Sequence, residues 1–135
     1  MPEHLRKKVS YTALSAEITR AGIDARREDG ALLLVMWRDV VGVVARRLPP
    51  EHDGVTFIDI VSIAGATLRI LPWTRITGDL VHGTGDERAR SLVIFVEASC
   101  PTVKLDARTQ AFSEKGEAAQ LPDLAKLAAH DARLA

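Results

Sequence analysis

Cys100 is the first residue to test for chemistry, because a thiolate is a strong nucleophile and His130 could serve as its base. A reactive thiol needs a helix N-terminus or a nearby cation to lower its pKa. Cys100 instead closes an apolar stretch of helical character directly before Pro101, where the negative end of a helix dipole disfavours the thiolate. It reads as a structural, half-buried cysteine. His4, His52, His82 and His130 form no H-x-x-x-H pair, and a lone cysteine supplies no second thiolate. His52, between Glu51 and Asp53, reads as part of a solvated turn. His82-Gly83-Thr84-Gly85 leads toward a helix, but Asp86 and Glu87 would repel an anion there, and neither phosphate-loop glycine pattern is present. No serine stands in a G-x-S-x-G elbow. These residues predict no enzyme, no metal and no cofactor.

The constellation that survives is one for binding. Thr67, Arg69, Leu71, Trp73 and Arg75 alternate, so a strand that stayed extended past Pro72 would put all five on one face. Leu68 and Ile70 would then face the core. Two guanidiniums flanking an indole could grip a carboxylate, a phosphate or a stacked base, and Trp and Arg are enriched at interface hot spots. The competing expectation makes Trp73 a plug at the sheet end, with the arginines solvated; packing is the commoner use of an aromatic ring. Arg46 and Arg47 are the other basic candidates.

Asp59-Ile60-Val61-Ser62-Ile63-Ala64-Gly65, with Arg46-Arg47 upstream, loosely resembles the PilZ family of cyclic-di-GMP receptors. That family pairs an arginine motif with D/N-x-S-x-x-G on a small β-barrel. Here the Asp-to-Ser spacing is one residue longer and the R-x-x-x-R spacing is missing. A one-residue shift sends alternate strand side chains to opposite faces. The resemblance covers a few residues and assigns no function.

Composition narrows the setting. Lys plus Arg and Asp plus Glu number 18 each, so no global field steers the chain toward nucleic acid or an anionic membrane. The first 48 residues carry nine basic and six acidic side chains, which allows a local basic patch only. Apolar residues make up 47% of the chain, sufficient for a core without disulfides. The polar start, the single cysteine and apolar runs far below about 20 residues predict a cytoplasmic protein without a membrane span. Thirteen Arg against five Lys, with no Asn, is the bias of a bacterial, high-GC coding sequence.

The elements that must position these residues read as one α+β domain over 1–135, with 1–9 a flexible basic N-terminus. Leu14, Ile18 and Ala21 at i, i+4 and i+7 predict a helix over 12–21, stopped by Gly22. Residues 31–37 are continuously apolar, as expected of a strand buried on both faces. Residues 40–47, 55–61 and 66–71 follow as strands, and their short connections favour an antiparallel meander of four. Thr84-Gly85-Asp86-Glu87 fits a capping box before a helix carrying Ala89, Leu92, Val93 and Val96, with Ile94 and Phe95 widening the stripe. Helices over about 106–114 and from about 122 complete the expectation: a four-stranded antiparallel meander preceded by one helix and followed by two to three. The expected function is a small non-enzymatic binding or adaptor domain in bacterial regulation or assembly. It would work through contact with a protein partner or a second copy, using Arg69, Trp73, Arg75, Arg46 and Arg47. The alternative is a nucleotide or nucleic-acid module built on the same arginines.

Overall fold

The computed structural model describes residues 9–50, 54–63 and 65–116. Of the expected flexible start over 1–9, residues 1–8 lie outside the described residues and Val9 begins the first strand; the third helix expected from about 122 also lies outside them. Eight strands precede two helices: β1 (Val9–Thr12), β2 (Ser15–Ile18), β3 (Gly22–Arg26), β4 (Leu32–Met36), β5 (Val40–Arg47), β6 (Thr56–Ser62), β7 (Ala66–Ile70), β8 (Arg75–Thr77), α1 (Gly85–Ser99) and α2 (Ala107–Lys115). They form two mixed four-stranded sheets, ordered β1-β7-β6-β5 and β4-β3-β2-β8. The single meander led by a helix is therefore overturned. Its β5-β6-β7 part is present, but β4 belongs to the second sheet and the leading helix does not exist.

The segment expected to be helical shows why. Ser15-Ala16-Glu17-Ile18 also alternates polar and apolar, and Ala16 and Ile18 are the buried pair. Two strands beside it bury that face continuously, whereas a helix would have buried Leu14, which is half exposed. Thr19 then turns the chain. Its hydroxyl accepts from the Gly22 N–H at 3.1 Å and the Ala21 N–H at 3.2 Å. Gly22 is the start of β3 and not a helix stop. A Cβ there would stand 2.1 Å from the Val35 carbonyl oxygen, so only glycine lets β3 and β4 approach.

Both sheets are joined at a double corner. β1 runs parallel to β7 in the first sheet, and β2 runs parallel to β8 in the second, so two adjacent chains cross together. Thr74 locks the crossing by donating its hydroxyl to the Ala13 carbonyl at 2.7 Å while accepting from the Leu71 N–H at 3.0 Å. Arg88 of α1 reaches back to the carbonyls of Leu71, Pro72 and Thr74, at 2.8, 3.1 and 2.8 Å. Burial pulls the pKa of its guanidinium below the ordinary arginine value. The expected extension of the strand past Pro72 does not occur, because 71–74 is this turn and β8 starts in the other sheet.

Ala16, Ile18, Ile23 and Val35 of the second sheet, Val43, Ile58, Ile60 and Leu68 of the first, and Leu92, Val93 and Val96 of α1 share one buried cluster. Phe112 brings α2 into it. Trp37, on a single 3-10 turn (Trp37–Asp39), donates its indole N–H to the Thr19 carbonyl at 2.9 Å and meets Phe95 edge to face at 5.6 Å. α1 starts where the sequence places it, but Thr84 makes no side-chain cap, so the capping box is not formed. α2 is capped as its sequence suggests. Asp106 accepts from the Thr109 N–H at 2.8 Å, and Gly116 ends the helix at φ +82°, a left-handed position suited to glycine.

Candidate functional site: one sheet closed, one sheet open

The five candidate residues fall into two groups that do not meet as one face. Arg69 on β7 lies directly across from Asp59 on β6. Its Nε donates to Asp59 Oδ1 at 2.8 Å and its NH2 to Oδ2 at 2.7 Å, a two-bond fork on a carboxylate with 0% exposure. The same guanidinium stacks over the Phe57 ring at 4.5 Å. Asp59, which suggested a ligand motif in the sequence, is thus the internal counter-charge of Arg69. Thr67 beside it is also buried.

Arg46 at the far end of β5 is buried as well. It forms an ion pair with Asp106 and hydrogen-bonds the Ala45 carbonyl at 2.8 Å and the Thr109 hydroxyl at 3.2 Å. Burial would raise the Asp106 pKa, but the hydrogen bonds from Arg46 and Thr109 outweigh it and hold the carboxyl below its usual value. These contacts close the β5 edge of the first sheet. The outward backbone groups of β5 are taken one after another: Val43 N–H to the Lys104 carbonyl at 3.2 Å, Lys104 N–H to the Val41 carbonyl at 3.1 Å, and Ala45 N–H to the Thr109 hydroxyl at 3.1 Å. Arg47, next along, is partly exposed.

Trp73 and Arg75 are the group that reaches solvent. Trp73 is 63% exposed on the corner turn, with half-exposed Leu14 on the neighbouring crossing, and the Arg75 N–H donates to the Leu14 carbonyl at 2.9 Å. Trp73 is therefore not a plug. Arg75 then begins a row across the outer face of the second sheet. The registers align Arg75, Ser15, Arg26 and Leu32 in one row, and Thr77, Glu17, Asp24 and Leu34 in the next. At about 4.8 Å per strand, the first row spans roughly 14 Å.

That face ends at β4, an edge strand whose only partner among the described residues is β3. Arg27 N–H bonds to the Ala31 carbonyl and Trp37 N–H to the Ala21 carbonyl, so the odd-numbered residues of β4 face β3. By alternation, the N–H and C=O groups of Leu32, Leu34 and Met36 point away from the sheet. Leu32 and Leu34 are 62% and 65% exposed. The expectation of a strand buried on both faces is thereby corrected: Val35 is buried, while the opposite face is bare. A run of five apolar residues hides this alternation. The two described helices pack on the core and leave that face uncovered.

Two turns frame the edge. Asp29 follows the end of β3 and accepts from Arg27 at 2.6 Å and from the Ala31 N–H at 3.0 Å. The Arg27 hydrogen bond, more than any other contact, holds its carboxyl down at about 2. At the other end, Arg38 is exposed on the 3-10 turn.

The remaining chemistry is sparse. Cys100 is buried and donates its thiol to the Trp37 carbonyl at 3.2 Å, and burial raises its pKa, which suits a packing role. Among the described residues, no three His, Cys, Asp or Glu side chains gather as metal ligands. The cavity beneath the start of α1, lined by Thr56, Ile58, Arg88 and Leu92, holds about 10 Å³, room for one water. A shallow groove of about 420 Å³ runs along α1 between Leu80, Ile94 and Phe95. No helix among the described residues is long and apolar enough to cross a membrane. No protein-family profile, curated protein or solved structure matches the chain.

Proposed function

We propose that this chain is a protein-binding adaptor without chemistry of its own, and that it makes contact through the outer face of the second sheet and its β4 edge. The observation that carries this reading is the pair Leu32 and Leu34, side by side on an edge strand and mostly exposed. An edge whose backbone groups are unpaired among the described residues, with no proline, no charge and no bulge, is a template for another strand. Leucine there adds apolar area to the backbone bonds. Trp73, Leu14 and Arg75 extend the surface at its far corner with the residue types that anchor interfaces. A regulatory or assembly role fits such a module.

The rival reading, a nucleotide or nucleic-acid ligand held by Arg46, Arg47, Arg69 and Arg75, has less support. Two of those four cations are engaged by Asp106 and Asp59, and the other two lie on different sheets. The test is affinity capture from native lysate with wild type beside Leu32→Lys/Leu34→Lys and Trp73→Ala. A protein retained by wild type and lost from the leucine variant supports the reading. Retention unaffected by either variant, or a ligand whose affinity falls steeply with salt as phosphate contacts do, contradicts it.

A further inference from the structure

The open edge also indicates what can dock on it. We propose that β4 pairs antiparallel with β4 of a second copy about a two-fold axis at Leu34, joining the two second sheets into one of eight strands. This rests on the β4 edge being the contact surface, as proposed above, and goes further in naming the partner and the register.

The register follows from the backbone. Leu32, Leu34 and Met36 carry the outward N–H and C=O groups, so Leu34 faces Leu34 of the second copy and Leu32 faces its Met36. No other in-phase antiparallel register keeps all three outward residues of both strands paired. On the open face this brings Leu32, Leu34 and Met36 of each copy against one another, apolar to apolar. The same surface meets itself, as a two-fold contact requires.

Charge agrees with that alignment. The antiparallel alignment brings the end of β4 in one copy to the start of β4 in the other, and so the 3-10 turn after the strand to the 27–30 turn before it. Arg38, exposed on its turn, then faces the 27–30 turn, where Glu28 is exposed. The two-fold axis makes that contact twice. In a parallel pairing Arg38 would meet Arg38. Asp24, the nearest charge on the neighbouring strand, is separated from its symmetry mate by three strand spacings, about 14 Å, beyond the roughly 8 Å screening length. Arg27 in the same turn is ion-paired with Asp29, which leaves the acidic Glu28 for Arg38. A five-residue edge contact is small beside the about 800 Å² per partner of a stable complex, so the association is weak and reversible.

Sedimentation velocity on the full chain from about 1 to about 300 µM tests this. Wild type moves from monomer to dimer across that range. Leu34→Lys, which sets two ammonium groups face to face on the axis, weakens dimerisation at least about tenfold. Arg38→Glu and Glu28→Arg each weaken it about three- to tenfold, and combining them restores wild-type affinity to within about threefold, because the paired charges are exchanged. A wild type that stays monomeric overturns the proposal, as does a dimer indifferent to Leu34→Lys or a charge swap that fails to restore. A monomeric wild type whose lysate partner is still lost with Leu32→Lys/Leu34→Lys removes this inference and leaves the adaptor reading standing.

Discussion

β5 and β4 are both edge strands, both rich in apolar residues, and they are finished in opposite ways. Along β5 the Val41 carbonyl and the Val43 and Ala45 N–H groups are taken by Lys104 and Thr109, and Arg46 fastens α2 over the strand end through Asp106. Along β4 the outward groups of Leu32, Leu34 and Met36 have no such strap among the described residues, and two leucines stand exposed beside them. The faces differ in the same sense. The first sheet buries Phe57, Asp59 and Thr67 on the side away from the shared core, while the second shows solvent a mixed face of Arg75, Arg26, Asp24 and Glu17. A fold that spends a helix and a loop on one edge and leaves the other bare has a closed half for stability and an open half for contact. The arginines divide in the same way. Arg46 and Arg69 hold the closed half together through Asp106 and Asp59, while Arg26, Arg38 and Arg75 stand exposed on the open one.

If this division is right, variants in the closed half destabilise and variants in the open half do not. Asp59→Ala should be the most severe, since it removes the fully buried carboxylate that takes two hydrogen bonds from Arg69, at a cost of about 3–5 kcal/mol in urea unfolding. Asp106→Ala removes both the α2 cap and the Arg46 partner. Because its carboxylate is partly exposed and screened, about 2 kcal/mol is expected, with amide exchange rising at Val43 and Ala45 before the rest of the sheet. Acid should act at the same place. The Asp106 pKa is lowered by folding, so its stabilisation is complete above the ordinary carboxyl range and is lost as pH falls through the lowered folded value. Melts between pH 5 and pH 2, values spanning about the carboxyl range, should show wild type converging on Asp106→Ala. Thr109→Val leaves the Ala45 N–H without an acceptor and should cost about 1–2 kcal/mol. Leu32→Lys/Leu34→Lys should change stability by no more than about 0.5 kcal/mol, since both side chains already face water. A large loss there would mean that β4 is held by more than β3, and the contrast between the two edges would fail.

What the sequence made legible follows from how locally each signal is written. The β5-β6-β7 hairpins lie close in the chain, and α2 carries its own start and stop signals in Asp106 and Gly116. The parallel pairings of β1 with β7 and β2 with β8 join residues more than fifty positions apart, with no local mark. Hence Ser15–Ile18 read as helix, though its alternation was present, and the corner at 71–74 read as continuous strand. The candidate site suffered from the same distance. Arg69 pairs with a residue ten positions away and Arg46 with one sixty away, and neither acid announces its partner. Trp73 and Arg75 reach solvent on a corner and not on the continuous strand face that their spacing suggested. Leu32 and Leu34 were hidden because an unbroken apolar run looks the same with one bare face as with none.

The most direct test of the central contrast is amide hydrogen exchange, residue by residue, at two protein concentrations about a hundredfold apart. The account predicts that Val43 and Ala45 are protected about a thousandfold or more at both concentrations. Leu32, Leu34 and Met36 should exchange at nearly unprotected rates in the dilute sample and slow only in the concentrated one. Equal protection of β4 and β5 in the dilute sample would contradict the claim that one edge is sealed and the other is left open.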